Sequence, residues 1–479
     1  MAGLSIIFKS SVAALALSAV TATGAFADTL GDALAKAYLN SGLLAQNRAL
    51  LHAANEDVAS AVASLRPILS YSASIDQQDT YVVAGRPSSL VDTSVSQTTA
   101  TIALTGSLTI YNFGSGRMGV EAAKESVLAT REALRGIEQT VLLNAVSAYM
   151  QVQATAQIVS LQENNLRVLT EELRAARERF EVGEITRTDV ALAEAQVASS
   201  RSDLVAAQGD LTDAQAFYIA VTGELSNSIN QPGKVPSVTS NLAEALEVAM
   251  RKHPDIIEAQ HNVAASELNI KIAQAAMKPS VDLTASASKS RYLAENNPSY
   301  DEGRDVTTGS LGIEVSGPIY RGGAMASTVR RAQANRDASR ASLHVAQLTV
   351  EQSVRTAFAA LREARAASEA ADELIRANTV AFQGVREEAS LGARTTLDVL
   401  DAEQDLLDAR AVKISANAQE YIQAYSLLSA MGLLDADYLK LNVPRYDVEA
   451  QYNLVKNAPP AISIQGDKLQ RILGATGKK

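Results

Sequence analysis

Two periodicities divide the chain. Apolar or small residues step by three and four through Val120, Ala123, Val127, Thr130, Leu134, Ile137 and Val141. The same stepping returns at Val190, Ala193, Val197, Ser200, Leu204, Ala207, Leu211, Ala214, Tyr218 and Val221. Such a seam brings one helix against another. The spacing predicts one long helix over 119–180, about 90 Å at ~1.5 Å per residue, followed by a second helix. Elsewhere the period is two. Ile102, Leu104, Leu108 and Ile110 alternate with Thr101, Ala103, Thr105, Ser107 and Thr109. Val281, Leu283, Ala285 and Ala287 alternate with Asp282, Thr284, Ser286 and Ser288. Tyr71, Ala73 and Ile75, and Leu311, Ile313 and Val315, continue the pattern. These are strands with one apolar and one wet face, each about as long as the ~9–11 residues a tilted membrane strand needs.

The pattern occurs twice. Gly183 and Gly392 stand 209 positions apart, as do Thr186 and Thr395, Asp189 and Asp398, Glu194 and Glu403, and Gly223 and Gly432. Upstream the offset is 212, pairing Pro67 with Pro279 and Leu30 with Leu242. The expected organisation is therefore two repeats, 28–223 and 241–432. Each runs helix, hairpin (about 67–114 and 279–323), very long helix, helix. A linker covers 224–240, and a tail at 433–479 has a Gly/Pro/Lys-rich end expected to be mobile.

Four strands alone make a poor soluble sandwich, since their edges stay open. In lipid an open edge is forbidden, because unpaired backbone groups cannot reach water. The strands should be pooled among chains, and three chains would supply about 12. The candidate aromatic girdle is Tyr71, Tyr81, Tyr111, Phe113, Tyr292, Tyr300 and Tyr320. Tyr111, Phe113 and Tyr320 close the strands at one end; Tyr81, Tyr292 and Tyr300 lie near the turns at the other.

Composition narrows the class. Lys9, the apolar run "SVAALALSAV" and "AFA" before Asp28 read as a secretory signal peptide over 1–27. There is no cysteine, so no disulfide. A net charge of -10 without a basic patch argues against nucleic acid. Hydrophobic residues make up 47% but aromatics only 4%, with no Trp; much of the apolar content is Ala, which suits thin, closely packed helices. The four His form no i, i+4 pair, and "GSG" at 114–116 lacks the Lys-Ser/Thr of a phosphate loop. No catalysis, cofactor or metal is expected.

The chain resembles the TolC family of outer-membrane efflux proteins. The carriers are the two repeats, "HPDIIEAQ" at 253–260, Pro67 and Pro279 before the strands, the turns "YNFGSG" and "IYRGG", and the stretches "RFEVGEITRTDV" and "SLGARTTLDVLDAEQ". The resemblance implies a homotrimer: a mainly α fold whose antiparallel coiled-coil helices form an α-helical barrel below a shared 12-stranded transmembrane β-barrel, four strands per protomer. It also implies a passive exit duct of a tripartite efflux pump or type I secretion system, in the outer membrane of a Gram-negative bacterium and extending into the periplasm. The expected partners are a periplasmic membrane-fusion adaptor, an inner-membrane pump or ABC transporter, and outer-membrane lipid. The rival reading is a non-channel periplasmic coiled-coil adaptor or structural protein, which would keep the heptads and lose the membrane.

Thr186 with Asp189, and Thr395 with Asp398, read as capping boxes at helix starts, with Gly183 and Gly392 turning the preceding helix over. The second repeat carries extras: Arg394 where the first has Ile185, and Asp401 where it has Leu192. Asp398 and Asp401 share a helix face, and in a trimer would gather six carboxylates, a ring that attracts cations. The resemblance carries Asp398 and Asp401 over as the acidic ring of the periplasmic entrance, and Arg394, Thr188 and Asp189 as entrance links, with an Arg394–Asp189 bond between the hairpins. The family's linking Tyr is Ala389 here.

Overall fold

A computed structural model describes residues 28–86, 89–224, 229–295 and 303–476. The signal peptide and Tyr300 lie outside the described residues. The elements run α1 (Leu30–Asn40), α2 (Gly42–Ala63), β1 (Ile68–Arg86), β2 (Ser89–Tyr111), α3 (Ser115–Glu181), α4 (Arg187–Thr222), α5 (Leu242–Lys252), α6 (Pro254–Ala275), β3 (Ser280–Glu295), β4 (Asp305–Ser316), α7 (Ala324–Ser390), α8 (Thr396–Ala430), α9 (Ala450–Val455) and α10 (Ile464–Thr476). The chain is mainly helical, with one antiparallel four-stranded sheet in the order β1-β2-β3-β4. The two long helices each contain 67 residues. Among the described residues no helix is long and apolar enough to cross a membrane.

Both repeats break their first helix at one place. In the second, His253 ends α5 and caps α6, its Nδ1 accepting from the Asp255 N–H, and Pro254 opens α6. Proline is tolerated there because the first-turn N–H has no partner to lose. In the first repeat Ser41 and Gly42 take these places, and the extended Ser41 breaks the helix without a proline. The starts also correspond. Thr29 caps α1 in a box with Asp32, and Asn241 caps α5.

The chain divides into two compact units. One comprises the described residues up to Ser41, with Leu142–Ser237 and Ala360–Tyr425; the other comprises Gly42–Val141, Val238–Ala359 and the residues from Ser426 on. In the first, Asp28 is buried. Its carboxylate receives Lys36 at 2.7 Å and the Tyr218 hydroxyl at 3.2 Å, while Tyr149 donates to the carbonyls of Asp28 and Asn230. Burial pushes the Tyr149 phenol up to about 12, and Tyr218 is raised for the same reason. Both stay neutral donors, fastening linker and N-terminal segment to the helices. In the second unit the tail is held by side chains. His52 bonds the Tyr446 hydroxyl at 2.7 Å, and Asn55 donates to Gln451 at 2.6 Å. Arg66 donates to the carbonyls of Asn457 and Ala458. The tail is thus anchored through Ala458 and carries helix α10 beyond, in the stretch whose composition suggested mobility.

The core uses small residues. Ala37, Ala145, Ala148, Ala214, Ala245, Ala249 and Ala424 are fully buried. Two repeat-related glycines show what close approach demands. Gly223 has φ 90°, and a Cβ there would meet the flexible Asn40 side chain at 3.0 Å. Gly432 has φ 71°, and its Cβ would meet the His253 Cα at 2.7 Å and the Lys252 carbonyl oxygen at 2.8 Å, both backbone. Left-handed backbone alone costs an alanine about 1 kcal/mol. Gly223→Ala should therefore destabilise by about 1–2 kcal/mol and Gly432→Ala by about 3 kcal/mol or more. Thermal unfolding of the two variants checks the order; equal midpoints would contradict it.

Candidate functional site

Each helical hairpin tip is built from its own sequence. At the first, Gly183 (φ 80°) ends α3, and Thr186 and Asp189 close a capping box: the Thr186 hydroxyl accepts from the Asp189 N–H, and the Asp189 carboxylate accepts from the Thr186 N–H at 2.9 Å and its hydroxyl at 2.7 Å. At the second, Gly392 (φ 78°) ends α7. The Asp398 carboxylate accepts from the Thr395 N–H and hydroxyl, both at 2.9 Å, and Thr395 accepts from the Asp398 N–H. These bonds hold both carboxyls below the usual carboxylate range: for Asp189 the Thr186 hydroxyl leads, for Asp398 the Thr395 N–H. Each box is therefore fully formed at neutral pH and is lost only as pH falls through those lowered values.

The second repeat's extra charges sit differently from expectation. Arg394 donates from Nε to Glu388 at 2.9 Å, within its own hairpin. Among the described residues it forms no bond to Asp189 and pairs instead with Glu388. Thr188 is exposed on the first turn of α4, and Asp401 is exposed on α8, one turn beyond the engaged Asp398.

Contacts between the hairpins lie deeper. Leu400 of α8 is 6% exposed and joins Leu169, Leu173, Ala176, Ala193 and Val197 of α3 and α4. Gln196 donates to Gln404 at 3.4 Å, and Arg386 lies 3.8 Å from Glu172. Sequence reasoning missed these residues. The repeat offset held a signal: Leu400 stands where the first repeat has Ala191, one more second-repeat extra.

In the sheet, residues opposite in register share a face. Leu69, Tyr71, Ala73 and Ile75 of β1 align with Gly106, Leu104, Ile102 and Ala100 of β2. Leu108, Gly106 and Leu104 align with Leu283, Ala285 and Ala287 of β3, and Val281, Leu283 and Ala285 with Val315, Ile313 and Leu311 of β4. This apolar face is exposed, Leu69 by 70%, Ile75 by 71% and Leu311 by 77%. The opposite face is laced by hydrogen bonds between Thr101 and Ser290, Thr109 and Asp282, and Ser286 and Ser310.

The apolar band crosses the register obliquely. The row through Leu69 reaches β4 at Leu311, yet the band continues four residues further, to Val315. That drop is about 13 Å over three strand spacings totalling about 14 Å, a slant of roughly 45°. Strands tilted by about 35–45° present a level band to a membrane only if its sequence limits are staggered this way.

The aromatic residues divide. Tyr71 lies on the apolar face; the Tyr111 and Phe113 rings meet at 4.9 Å, tilted by 54°, at the helix end of the sheet, and Tyr320 follows β4, 83% exposed. Tyr81 shares the face of Tyr71, but Gln77 and Asp79 intervene, so it stands beyond the apolar band. Tyr292 lies on the polar face under the Arg304 guanidinium, 5.0 Å away. Beyond 9–11 residues per strand, β1 and β2 extend to 19 and 23.

A model of the family described as outer membrane efflux protein matches residues 33–224 and 245–433. The chain belongs to the outer membrane efflux protein family. The outer membrane efflux protein BepC of Brucella suis biovar 1 (strain 1330) is 36% identical over 447 residues, 93% of this chain and 94% of that protein. The outer membrane protein TolC of Escherichia coli (strain K12) is 26% identical over 342 residues, 67% of this chain and 69% of its own. Among solved structures, CusC superposes with a TM-score of 0.72 at 21% identity, covering 85% of this chain and 92% of that one. The Campylobacter jejuni CmeC outer membrane channel does so with 0.72 at 17%, covering 90% of each. This efflux protein is an outer-membrane channel whose helices extend into the periplasm, and the non-channel adaptor reading falls.

Leu400→Ala in this channel removes the α8 side chain from the buried apolar cluster it shares with α3 and α4. It should cost about 2–3 kcal/mol and raise resting conductance in planar bilayers. Conductance equal to wild type would show that the Leu400 cluster does not hold the tips together.

Proposed function

We propose that three copies pool their sheets into one 12-stranded barrel whose helices enclose a passive exit duct, opened at the tips when the second hairpin moves away from the first. The observation that supports this best is the sheet itself. Its exposed apolar face is bounded by β1 and β4, each paired on one side only. In lipid those edges must be sealed by other chains, and tilted strands with a staggered apolar band suit a closed barrel. Heat-modifiable trimer migration and conductance of the purified processed protein test the reading. A lone, water-soluble, non-conducting chain would refute it.

The duct performs no catalysis on this reading; energy comes from an inner-membrane pump or ABC transporter, reached through a periplasmic adaptor at the tips. Exposed Val182 and Leu391 flank Gly183 and Gly392 there and offer apolar contact. CusC of Escherichia coli is described as a cation efflux system protein and ArpC of Pseudomonas putida as an antibiotic efflux pump outer membrane protein, and metal ions and drugs are the cargo classes these relatives suggest.

At the entrance, Asp398 and Asp401 from three subunits form the acidic ring. The two carboxylates are not equivalent. Asp398 spends one oxygen on Thr395, whereas the exposed Asp401 makes no side-chain hydrogen bond or ion pair among the described residues. Asp401→Asn should therefore remove more divalent-cation block than Asp398→Asn, and the double variant should lose cation selectivity. Unchanged block in the double variant would sink the ring. Arg394, tied to Glu388 in an exposed pair, contributes little to holding the entrance closed. Arg394→Ser should leave resting conductance close to wild type, and a large rise would restore Arg394 as a link.

A further inference from the structure

The repeat offset exposes a discrepancy between the two hairpins. In the first, Arg177 donates to Glu194 at 2.6 Å, an ion pair joining α3 to α4 across 17 positions. The equivalent residues in the second are Arg386 and Glu403, also 17 apart. They do not make the equivalent bond. Arg386 instead lies 3.8 Å from Glu172 of the first hairpin. Glu403 is left facing a cavity of about 170 Å³ lined by Asn165, Val168, Phe382, Arg386, Leu407 and Arg410. Its Oε2 is buried with no hydrogen-bond partner among the described residues.

We propose that Glu403 is a proton-controlled competitor for Arg386: protonated, it leaves Arg386 bridging the hairpins to Glu172; ionised, it draws Arg386 back into its own hairpin and releases the first. The charged groups facing it are Glu172 from α3, Arg386 from α7 and Arg410 on its own helix; α4 contributes the neutral Gln196, through Gln404. Burial first, then the Glu172 charge, raise the Glu403 carboxyl to about 7, against the opposing pull of Arg386 and Arg410. The sign follows. The bridged arrangement binds a proton at Glu403 up to about pH 7. The released arrangement, with Glu403 no longer held against Glu172 in the buried site, binds one only in the ordinary carboxylate range. Rising pH therefore favours release, and falling pH favours the bridge.

The inference rests on the channel reading and deepens it. Single-channel recordings of the purified trimer between pH 6 and pH 8 test it. A carboxyl near 7 in one arrangement and near 4.5 in the other shifts their ratio about tenfold per subunit over that range, so wild-type open probability should rise about tenfold or more. Glu403→Gln, which mimics the protonated side chain, should hold the low-pH level throughout. Glu172→Gln, which removes the rival partner, should raise the open level at pH 6. Wild-type conductance that does not change between pH 6 and 8, or a pH response that persists in Glu403→Gln and so belongs to histidines, overturns the inference. Should Glu403→Gln fail to form trimers, the wild-type titration and Glu172→Gln still decide. A wild type without any conductance sinks the channel reading instead, which keeps the two failures apart.

Discussion

A β-sheet edge cannot lie bare in hydrocarbon, and this constraint shapes the whole chain. Each unpaired N–H or C=O there would cost several kcal/mol, and the sheet has two such edges, on β1 and β4. Water could satisfy them, but the exposed band of Leu69, Ile75, Ile102, Leu311, Ile313 and Val315 makes water the wrong solvent for that face. Edge and face are met together only when identical sheets join edge to edge. Closure then fixes strand tilt, and tilt fixes the stagger of the apolar limits. The hollow interior follows from sealing the edges.

Much of this was legible in the sequence because it is written in local periodicity. The seam through Val190, Ala193 and Val197, the alternation through Ile102 and Leu104, and the Thr-x-x-Asp boxes at both tips each depend on neighbours within a few residues. The partners of long charged side chains were not legible. Arg394 had acidic residues on both hairpins as candidate partners, and only the folded tip shows that it pairs with Glu388. Composition suggested mobility only for the tail's Gly/Pro/Lys-rich end, 456–479. The tail's anchoring through Tyr446, Gln451 and the Asn457–Ala458 carbonyls depends on residues almost 400 positions away, beyond any local pattern. The full strand length was not legible because the strict alternation of β1 stops near Gln77 while the backbone pairing continues to Arg86.

The repeats are most informative where they disagree. A duplicated hairpin would at first have made identical tips. Caps and turning glycines remain matched, since a tip without them frays. Two differences in the second hairpin face its neighbour: Leu400 for Ala191, and Arg386 turned from its own hairpin toward Glu172. The first hairpin keeps the self-contained Arg177–Glu194 pair. Divergence has thus concentrated the relations between hairpins in one of them and left the other as a fixed wall.

That division explains how an entrance can move without unfolding. Each tip's hydrogen bonds close on themselves, so a hairpin keeps its caps wherever it goes. The bonds between hairpins are few and long by comparison, 3.4 Å for Gln196–Gln404 and 3.8 Å for Arg386–Glu172, around one small apolar cluster. A helix pair held by local caps and weak lateral contacts is stiff along its length and loosely tied sideways. Removing a short patch of lateral contact is then enough to part the tips, at a cost of a few kcal/mol, well below that of melting either helix. A duct that must open on contact with a partner needs this ordering of energies, strong within each hairpin and weak between them.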